Sequence, residues 1–195
     1  MANILNLWYN EFGDEMIKNY TVFDVETANN MRESICSIGI VRVENNEIVF
    51  AKEYLINPEC DFNYFNIMVH GITPEAVTWS PAFDEIWEDI KIYFENTTLV
   101  AHNAKSMDLC ALTRTLKRYR IEPIEFDYIC TLQLARKLIP KSITKSHRLN
   151  DLCDLLNIQL AHHHDALDDA LGCQGILEYF NNTYPEEVVP KPYNI

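Results

Sequence analysis

The chain has 195 residues, of which 48% are hydrophobic and 23% are charged, a composition typical of one globular domain that excludes a disordered or fibrous chain. No apolar run approaches the ~18 residues that a membrane span needs, and no basic leader precedes the N-terminal apolar residues, so we expect a soluble protein without a secretory signal. The net charge of −13 disfavours a protein that coats nucleic acid by charge alone.

The charge is unevenly distributed along the chain. Residues 105–148 hold ten basic and four acidic side chains, a net +6, so the remainder carries −19. An acidic protein with one basic segment can still hold a polyanion, particularly when bound cations cover part of its carboxylates. The six cysteines form no C-x-x-C pair, so we expect buried free thiols and a cytoplasmic location.

The first half of the chain predicts three strands and then helices. The strands are predicted at residues 20–25, 35–43 and 48–56. The turn sequence Glu44-Asn45-Asn46-Glu47 joins the last two as a hairpin. Thr73 and Ser80 each precede a proline, which is a start signal for a helix, and apolar residues recur at helical spacing after Ser80.

The second half alternates strands and helices. Strands are predicted at 98–101 and 126–130, and helices at 107–119, 131–139, 149–156 and 165–180. This order fits an α/β fold, a mixed β-sheet flanked by helices. We therefore expect an N-terminal extension (1–19), one domain (20–183) and an extended, proline-containing C-terminal tail (184–195).

The first segment with chemical potential is Phe23-Asp24-Val25-Glu26-Thr27. Residues two apart on a strand point to the same side, so Asp24 and Glu26 project together. Crowded carboxylates repel each other unless a cation lies between them, and Mg²⁺ prefers carboxylate oxygens. The alternative is a polar strand end that faces solvent.

The second segment, Val100 to Asp108, follows a short strand and enters a helix. Asp108 then lies in the first helical turn. The helix dipole favours an acid there for structural reasons alone, so this segment indicates a helix cap or a site equally well.

The third segment runs from His162 to Ala170 at the start of the last helix. Asp165 is placed to cap that helix, and the remaining groups could supply a metal carboxylate and an imidazole that accepts a proton near neutral pH. The adjacent histidines, near Cys153 and Cys173, also raise a zinc site, but their spacing matches no zinc pattern. Together the three segments offer the carboxylates and histidine that suit two metal ions about 4 Å apart in phosphoryl chemistry.

The trio FDVET, VAHNA…MD and HHDALDDA resembles the motifs of the DEDDh family of 3′–5′ exonucleases, which includes the proofreading epsilon subunit of bacterial DNA polymerase III and ribonuclease T. The resemblance runs from about Thr21 to Tyr179 and is strongest to the stand-alone, epsilon-like exonucleases. It implies a ribonuclease H-like fold and hydrolysis at the 3′ end of a nucleic acid.

The resemblance also implies roles for individual residues. The four metal carboxylates are Asp24, Glu26, Asp108 and Asp169, which would hold two Mg²⁺ (or Mn²⁺), and His164 is the general base. The family's second motif reads H-N-A-x-F-D, whereas Ala104 and Asp108 here are one residue further apart. A one-residue insertion, with a bulged loop before Asp108, restores the match.

The family resemblance further implies a substrate-binding set. It comprises Thr27, His70, Ile72, His102 and Asn103. Ile72 is the candidate wedge between bases, although ordinary packing is an equal alternative for Ile72 and His102. The basic segment 105–148 would follow the phosphates of the strand.

The expected activity is release of nucleoside 5′-monophosphates from nucleic acid 3′ ends, most readily from single-stranded DNA. A ribonuclease that trims RNA 3′ ends is the first alternative, and a non-catalytic polymerase-accessory module is the second. We expect no membrane partner and a free-standing enzyme, because the chain ends soon after the third motif. The oligomeric state stays open, with a homodimer among the alternatives.

Overall fold

The computed structural model describes residues 16–193, and its centre is a single six-stranded mixed sheet. The strands are β1 (Tyr20–Thr27), β2 (Ile35–Glu44), β3 (Glu47–Leu55), β4 (Thr98–Ala101), β5 (Asp127–Cys130) and β6 (Lys191–Pro192). Their order across the sheet is β3-β2-β1-β4-β5-β6. The hairpin side is antiparallel, β1, β4 and β5 run parallel, and β6 is antiparallel to β5.

Seven α-helices surround this sheet within the described part of the chain. They are α1 (Tyr64–His70), α2 (Pro74–Val77), α3 (Phe83–Ile90), α4 (Asp108–Arg118), α5 (Thr131–Leu138), α6 (Leu149–Leu156) and α7 (Ala166–Thr183). Short 3-10 helices cover Lys91–Tyr93 and Pro185–Glu187. No helix among residues 16–193 is long and apolar enough to cross a bilayer.

Most predicted elements are confirmed to within a few residues, but three regions differ. The sequence patterns missed α1 entirely. The helix predicted after Ser80 begins at Phe83, because the Glu85 carboxylate accepts the Ala82 N–H at 2.7 Å and closes the helix start there. In the tail, a 3-10 helix and β6 form, and Tyr193 stacks on Phe126 with ring centroids 5.1 Å apart. Most of the predicted extension 1–19 lies outside the described residues.

The sheet carries one hydrophobic core on each face. Alternate residues of β1 and β4 point to opposite faces, so Phe23 and Leu99 join the core under α3 and α4, whereas Val22 and Val100 join the core under α5, α6 and α7. The six cysteines are free thiols, four of them buried.

Gly39 lets the last helix touch the sheet. It pairs with Asp24 across the β1–β2 ladder. A Cβ built on Gly39 would lie 2.1 Å from the carbonyl oxygen of Ala166 and 2.4 Å from the backbone nitrogen of Leu167. The first turn of α7 therefore approaches the strand at a distance that only glycine permits.

We predict that Gly39→Ala lowers the free energy of unfolding by at least about 2 kcal/mol, because the new methyl group meets backbone that cannot rotate away. Chemical denaturation followed by circular dichroism measures this. Gly172→Ala in α7 is the matched control. Its new Cβ would lie 3.1 Å from the Cys153 sulfur, a side-chain atom, and alanine favours the helix. Equal stability of Gly39→Ala and the unmodified protein would contradict the close approach.

Candidate functional site

The end of β1 carries the first two carboxylates. Asp24 and Glu26 continue the row of Tyr20 and Val22, which faces the core under α7, so both side chains turn towards that helix. The ladder between β1 and β2 shifts register between Glu26 and Thr27, and the regular pairing therefore ends beside these carboxylates.

The first turn of α7 brings Asp169 to the same place. Asp165 caps the helix, as predicted, by accepting the backbone N–H groups of Leu167 and Asp168 at 3.1 Å. Asp169, one turn further, is buried. One carboxylate oxygen from each of Asp24, Glu26 and Asp169 lies within 4.8 Å of the others. The structure thus brings together three of the four carboxylates that the resemblance assigns to metal binding.

Asp108 begins α4 and is also buried. The turn before it is wide, since Leu109 N donates to Ala104 O at 3.0 Å across five residues instead of the usual four. The Asp108 Oδ2 atom is buried without a hydrogen-bond partner. A buried, unpartnered carboxylate oxygen is costly unless some group outside the described protein atoms satisfies it.

Burial and mutual repulsion make these acids hard to ionise. Burial, followed by the charges of Asp108, Glu26 and Asp169, raises the pKa of Asp24 well above its usual range. Burial and the neighbouring charge of Asp169 raise the pKa of Glu26 to about 8. Burial raises the pKa of Asp108 to about 7, although backbone hydrogen bonds at Asp108 and Val25 oppose the shift. The charges that shift the pKa values of Asp24 and Glu26 are all negative, so a cation would stabilise the cluster.

His164 lies beside the cluster in an uncommon backbone conformation. Its φ angle is +73°, in the left-handed region, and its N–H donates to Asp169 Oδ2 at 3.1 Å. Burial, and then the neighbouring His163, lowers the pKa of His164. The imidazole is therefore neutral near pH 7 and free to accept a proton.

His163 reaches the site too, which the motif did not indicate. Its Nδ1 lies 2.9 Å from Asp169 Oδ1, and its ring stacks on that of His164 with centroids 3.9 Å apart. Only His162 behaves as a solvent-facing residue, with Nδ1 3.0 Å from Asp168 Oδ2. The contact of His163 with Asp169 could not be predicted from the sequence, because the residues before the helix start at Asp165 follow no fixed periodicity.

A cavity of about 1380 Å³ connects these groups. The predicted site residues that line it are Asp24, Glu26, Thr27, His70, His102, Asn103, Asp108, His164 and Asp169. Five basic residues of the segment 105–148 also line it, namely Arg136, Lys137, Lys141, Lys145 and Arg148. Ile72 is not among the lining residues, so its role as a wedge stays a prediction.

His102 is held from both sides. Its Nε2 lies 3.0 Å from the carbonyl oxygen of His147, which can only accept, so Nε2 carries the proton and Nδ1 accepts from the Thr131 hydroxyl at 2.9 Å. Burial lowers its pKa to about 4. With both nitrogens engaged, His102 positions the segment before α6 while its ring lines the cavity.

The end of β1 is fastened to α1 through two side chains. Asn66 Nδ2 donates to Thr27 O at 2.8 Å, and His70 Nε2 donates to the same oxygen at 3.2 Å. His70 Nδ1 in turn accepts the N–H of Ile72 at 3.0 Å. Asn66 lines the cavity and was missed with the rest of α1, although the cap residues Asn63 and Gly71 at its two ends signal a helix.

The family model described as Exonuclease matches residues 21–176, most of the chain. DNA polymerase III PolC-type of Bacillus cereus is 34% identical over 175 residues, which cover 86% of this chain and 12% of that protein. The same polymerase type of Bacillus subtilis is 34% identical over 155 residues, covering 78% of this chain and 11% of that protein. The chain thus spans about a tenth of the length of these relatives.

Solved structures share the fold at lower identity. Exonuclease X in complex with 5′ overhanging duplex DNA superposes with a TM-score of 0.67 at 23% identity, covering 87% of this chain and 96% of that one. E. coli exonuclease I in complex with a dA16 oligonucleotide has a TM-score of 0.77 at 15% identity, covering 88% and 42%. The nuclease domain of 3′hExo, a DEDDh family member bound to rAMP, has a TM-score of 0.72 at 18% identity, covering 89% and 96%.

These neighbours confirm the mixed, ribonuclease H-like sheet flanked by helices. The family model covers the residues of all three motifs, from Phe23 to Ala170. The chain belongs to the exonuclease family described by that model.

Proposed function

We propose that the protein is a metal-dependent 3′–5′ exonuclease that releases nucleoside 5′-monophosphates from the 3′ end of single-stranded DNA. The observation that carries this proposal is the convergence of Asp24, Glu26 and Asp169 within 4.8 Å beside His164, at one end of a cavity with basic residues in its wall. Carboxylates from a strand end and a helix start meet an imidazole there.

The residues present fit divalent cations. Oxygen donors suit Mg²⁺ or Mn²⁺, and both the raised pKa of Glu26 and the unpartnered Asp108 Oδ2 indicate carboxylates that a cation would stabilise. Asp24, Glu26 and Asp169 would hold one ion, and Asp108 with Asp24 a second. Two such ions would lower the pKa of water and neutralise charge on the attacking and leaving oxygens of the phosphodiester.

The protein's own groups would orient and deprotonate the nucleophile. His164 would accept a proton from water at a ring nitrogen, and its lowered pKa leaves the imidazole in the neutral form that can do so near pH 7. The hydrogen bond from its backbone N–H to Asp169 Oδ2 holds the His164 backbone beside the carboxylates. Thr27 and Asn103 would border the 3′-terminal nucleotide, and the basic residues of the wall would bind its phosphates.

We predict that Asp24→Ala and His164→Ala remove the activity while leaving the fold intact. Loss of a general base costs about 10²–10⁴-fold in kcat. Release of mononucleotides from a labelled strand gives the rate, and circular dichroism with thermal melting reports the fold. His162→Ala is the matched control, because this histidine is exposed and does not line the cavity. Full activity of His164→Ala would contradict the assigned base.

We predict that the metal-free protein loses stability as the pH rises from about 4.5 to about 8. The pKa of Glu26 is about 8 in the folded protein against a usual value of 4.5, so the folded state holds its proton more tightly than the unfolded chain does. This contribution of Glu26 to the free energy of unfolding is fully present below pH 4.5, its usual pKa. It is lost as the pH rises through about 8, its pKa in the folded protein.

Chemical denaturation across this pH range, in excess chelator, measures the slope. Glu26→Gln should flatten it, whereas Glu47→Gln at the exposed hairpin position should not. Mg²⁺ should raise the melting temperature more at about pH 8 than at about pH 5, because it competes with protons for the same oxygens. Stability independent of pH and of Mg²⁺ would contradict the cluster as a cation site.

The substrate class is tested by digesting single-stranded DNA, duplex DNA and RNA of the same sequence side by side, with Mg²⁺ and with Mn²⁺. We expect single-stranded DNA to be shortened fastest, from its 3′ end, and excess chelator to stop the reaction. Faster digestion of RNA would favour the RNA-trimming alternative, which uses the same catalytic residues but recognises the 2′-hydroxyl. No digestion of any strand would indicate a binding module.

A further inference from the structure

Helix α1 has its polar side inward. Asn66 and His70 both donate to the carbonyl oxygen of Thr27, at 2.8 and 3.2 Å, and so fasten the helix to the end of β1. No residue of α1 is buried. The usual arrangement of a surface helix, with its apolar stripe on the core, is therefore reversed here.

The outward side of α1 is apolar. Tyr64, Phe65, Met68 and Val69 are 69%, 76%, 65% and 51% exposed. Tyr64 and Phe65 contact each other edge to face, with ring centroids 6.2 Å apart. We name these four residues the outer face of α1. A contiguous group of large apolar side chains left in water marks a surface that binds something.

The outer face begins inside the catalytic cavity and continues out of it. Phe65 and Val69 line the cavity, whereas Tyr64 and Met68 extend the same surface beyond the lining. The hydrogen bonds to Thr27 hold helix α1 at the residue that follows Glu26. A strand that extends from the acidic cluster along α1 would therefore contact the outer face of α1.

The rest of the cavity wall supplies the opposite chemistry. Five of its six basic side chains come from residues 136–148 and the sixth is Arg32, whereas the outer face of α1 carries no charge. A single strand of nucleic acid has the complementary division, with anionic phosphates along one side and uncharged aromatic bases along the other. Base stacking on aromatic side chains and backbone binding by cations are the two ways in which proteins hold such strands.

We propose that the outer face of α1 is a stacking wall for the unpaired bases that lie upstream of the 3′-terminal nucleotide. This inference rests on the proposed exonuclease function and names its substrate form, a strand whose bases are free. In a duplex the bases are already paired and stacked on one another, so the outer face would gain little from them. The same contacts are indifferent to sequence, because every base has a π-face.

Equilibrium binding tests the wall separately from catalysis. The protein carries His164→Ala, which keeps all four carboxylates, and Mg²⁺ is present. Fluorescence anisotropy compares an oligothymidylate of about twelve nucleotides with a strand of the same length and charge that lacks bases upstream of its 3′-terminal nucleotide. We expect Tyr64→Ala and Met68→Ala together to weaken binding of the complete strand at least about fivefold and to leave the abasic strand unchanged.

Ile92→Ala is the matched control, because Ile92 is a large apolar side chain, 63% exposed, that does not line the cavity. Equal effects of the paired substitutions on both strands, or none on either, would overturn the stacking wall while leaving the exonuclease function standing. Failure of the starting protein to bind either strand would overturn the function and this inference together. A dimer in sedimentation that Tyr64→Ala dissociates would show that a second copy covers the face, and would also overturn the proposal.

Discussion

The acidic cluster of Asp24, Glu26 and Asp169 depends on the contact between the first turn of α7 and the backbone of β2 at Gly39. Gly39 pairs with Asp24, and its missing side chain leaves the space in which the backbone of Ala166 and Leu167 lies. Asp169 is only one turn further along α7. The distance between the strand carboxylates and the helix carboxylate is thus fixed by main-chain contact between two rigid elements, which tolerates little movement.

That rigidity has an energetic cost in the absence of cations. Several acids are forced together in a half-buried place, and the pKa values of Asp24, Glu26 and Asp108 rise because their charged forms lose water and repel one another. The two hydrophobic cores hold the sheet and helices in this arrangement regardless. The same crowded carboxylate oxygens therefore lower the stability of the cation-free protein and raise its affinity for cations, a relation common at functional sites.

The sequence predicted the parts of the fold that obey hydrophobic periodicity and the parts of the site that lie in short motifs. Alternation in β1 gave the shared side of Asp24 and Glu26, and the cap signal at Asp165 gave the start of α7. Helix α1 was not predicted because its large apolar residues face water, whereas prediction from periodicity assumes that they face the core. The contact of His163 with Asp169 depends on a left-handed residue at His164, which no pattern of residue types encodes.

The wide turn before Asp108 has a consequence for how this segment can vary. One hydrogen bond in this turn, from Leu109 N to Ala104 O, spans five residues. The ordinary four-residue spacing resumes when Ala111 N donates to Met107 O. The downstream helix keeps its rotation about its own axis, so Leu109 and Leu112 still enter the core. The position of Asp108 is therefore set by the helix that it begins and not by the number of residues after the strand, and we expect a chain that is one residue shorter in this loop to place its aspartate at the same point.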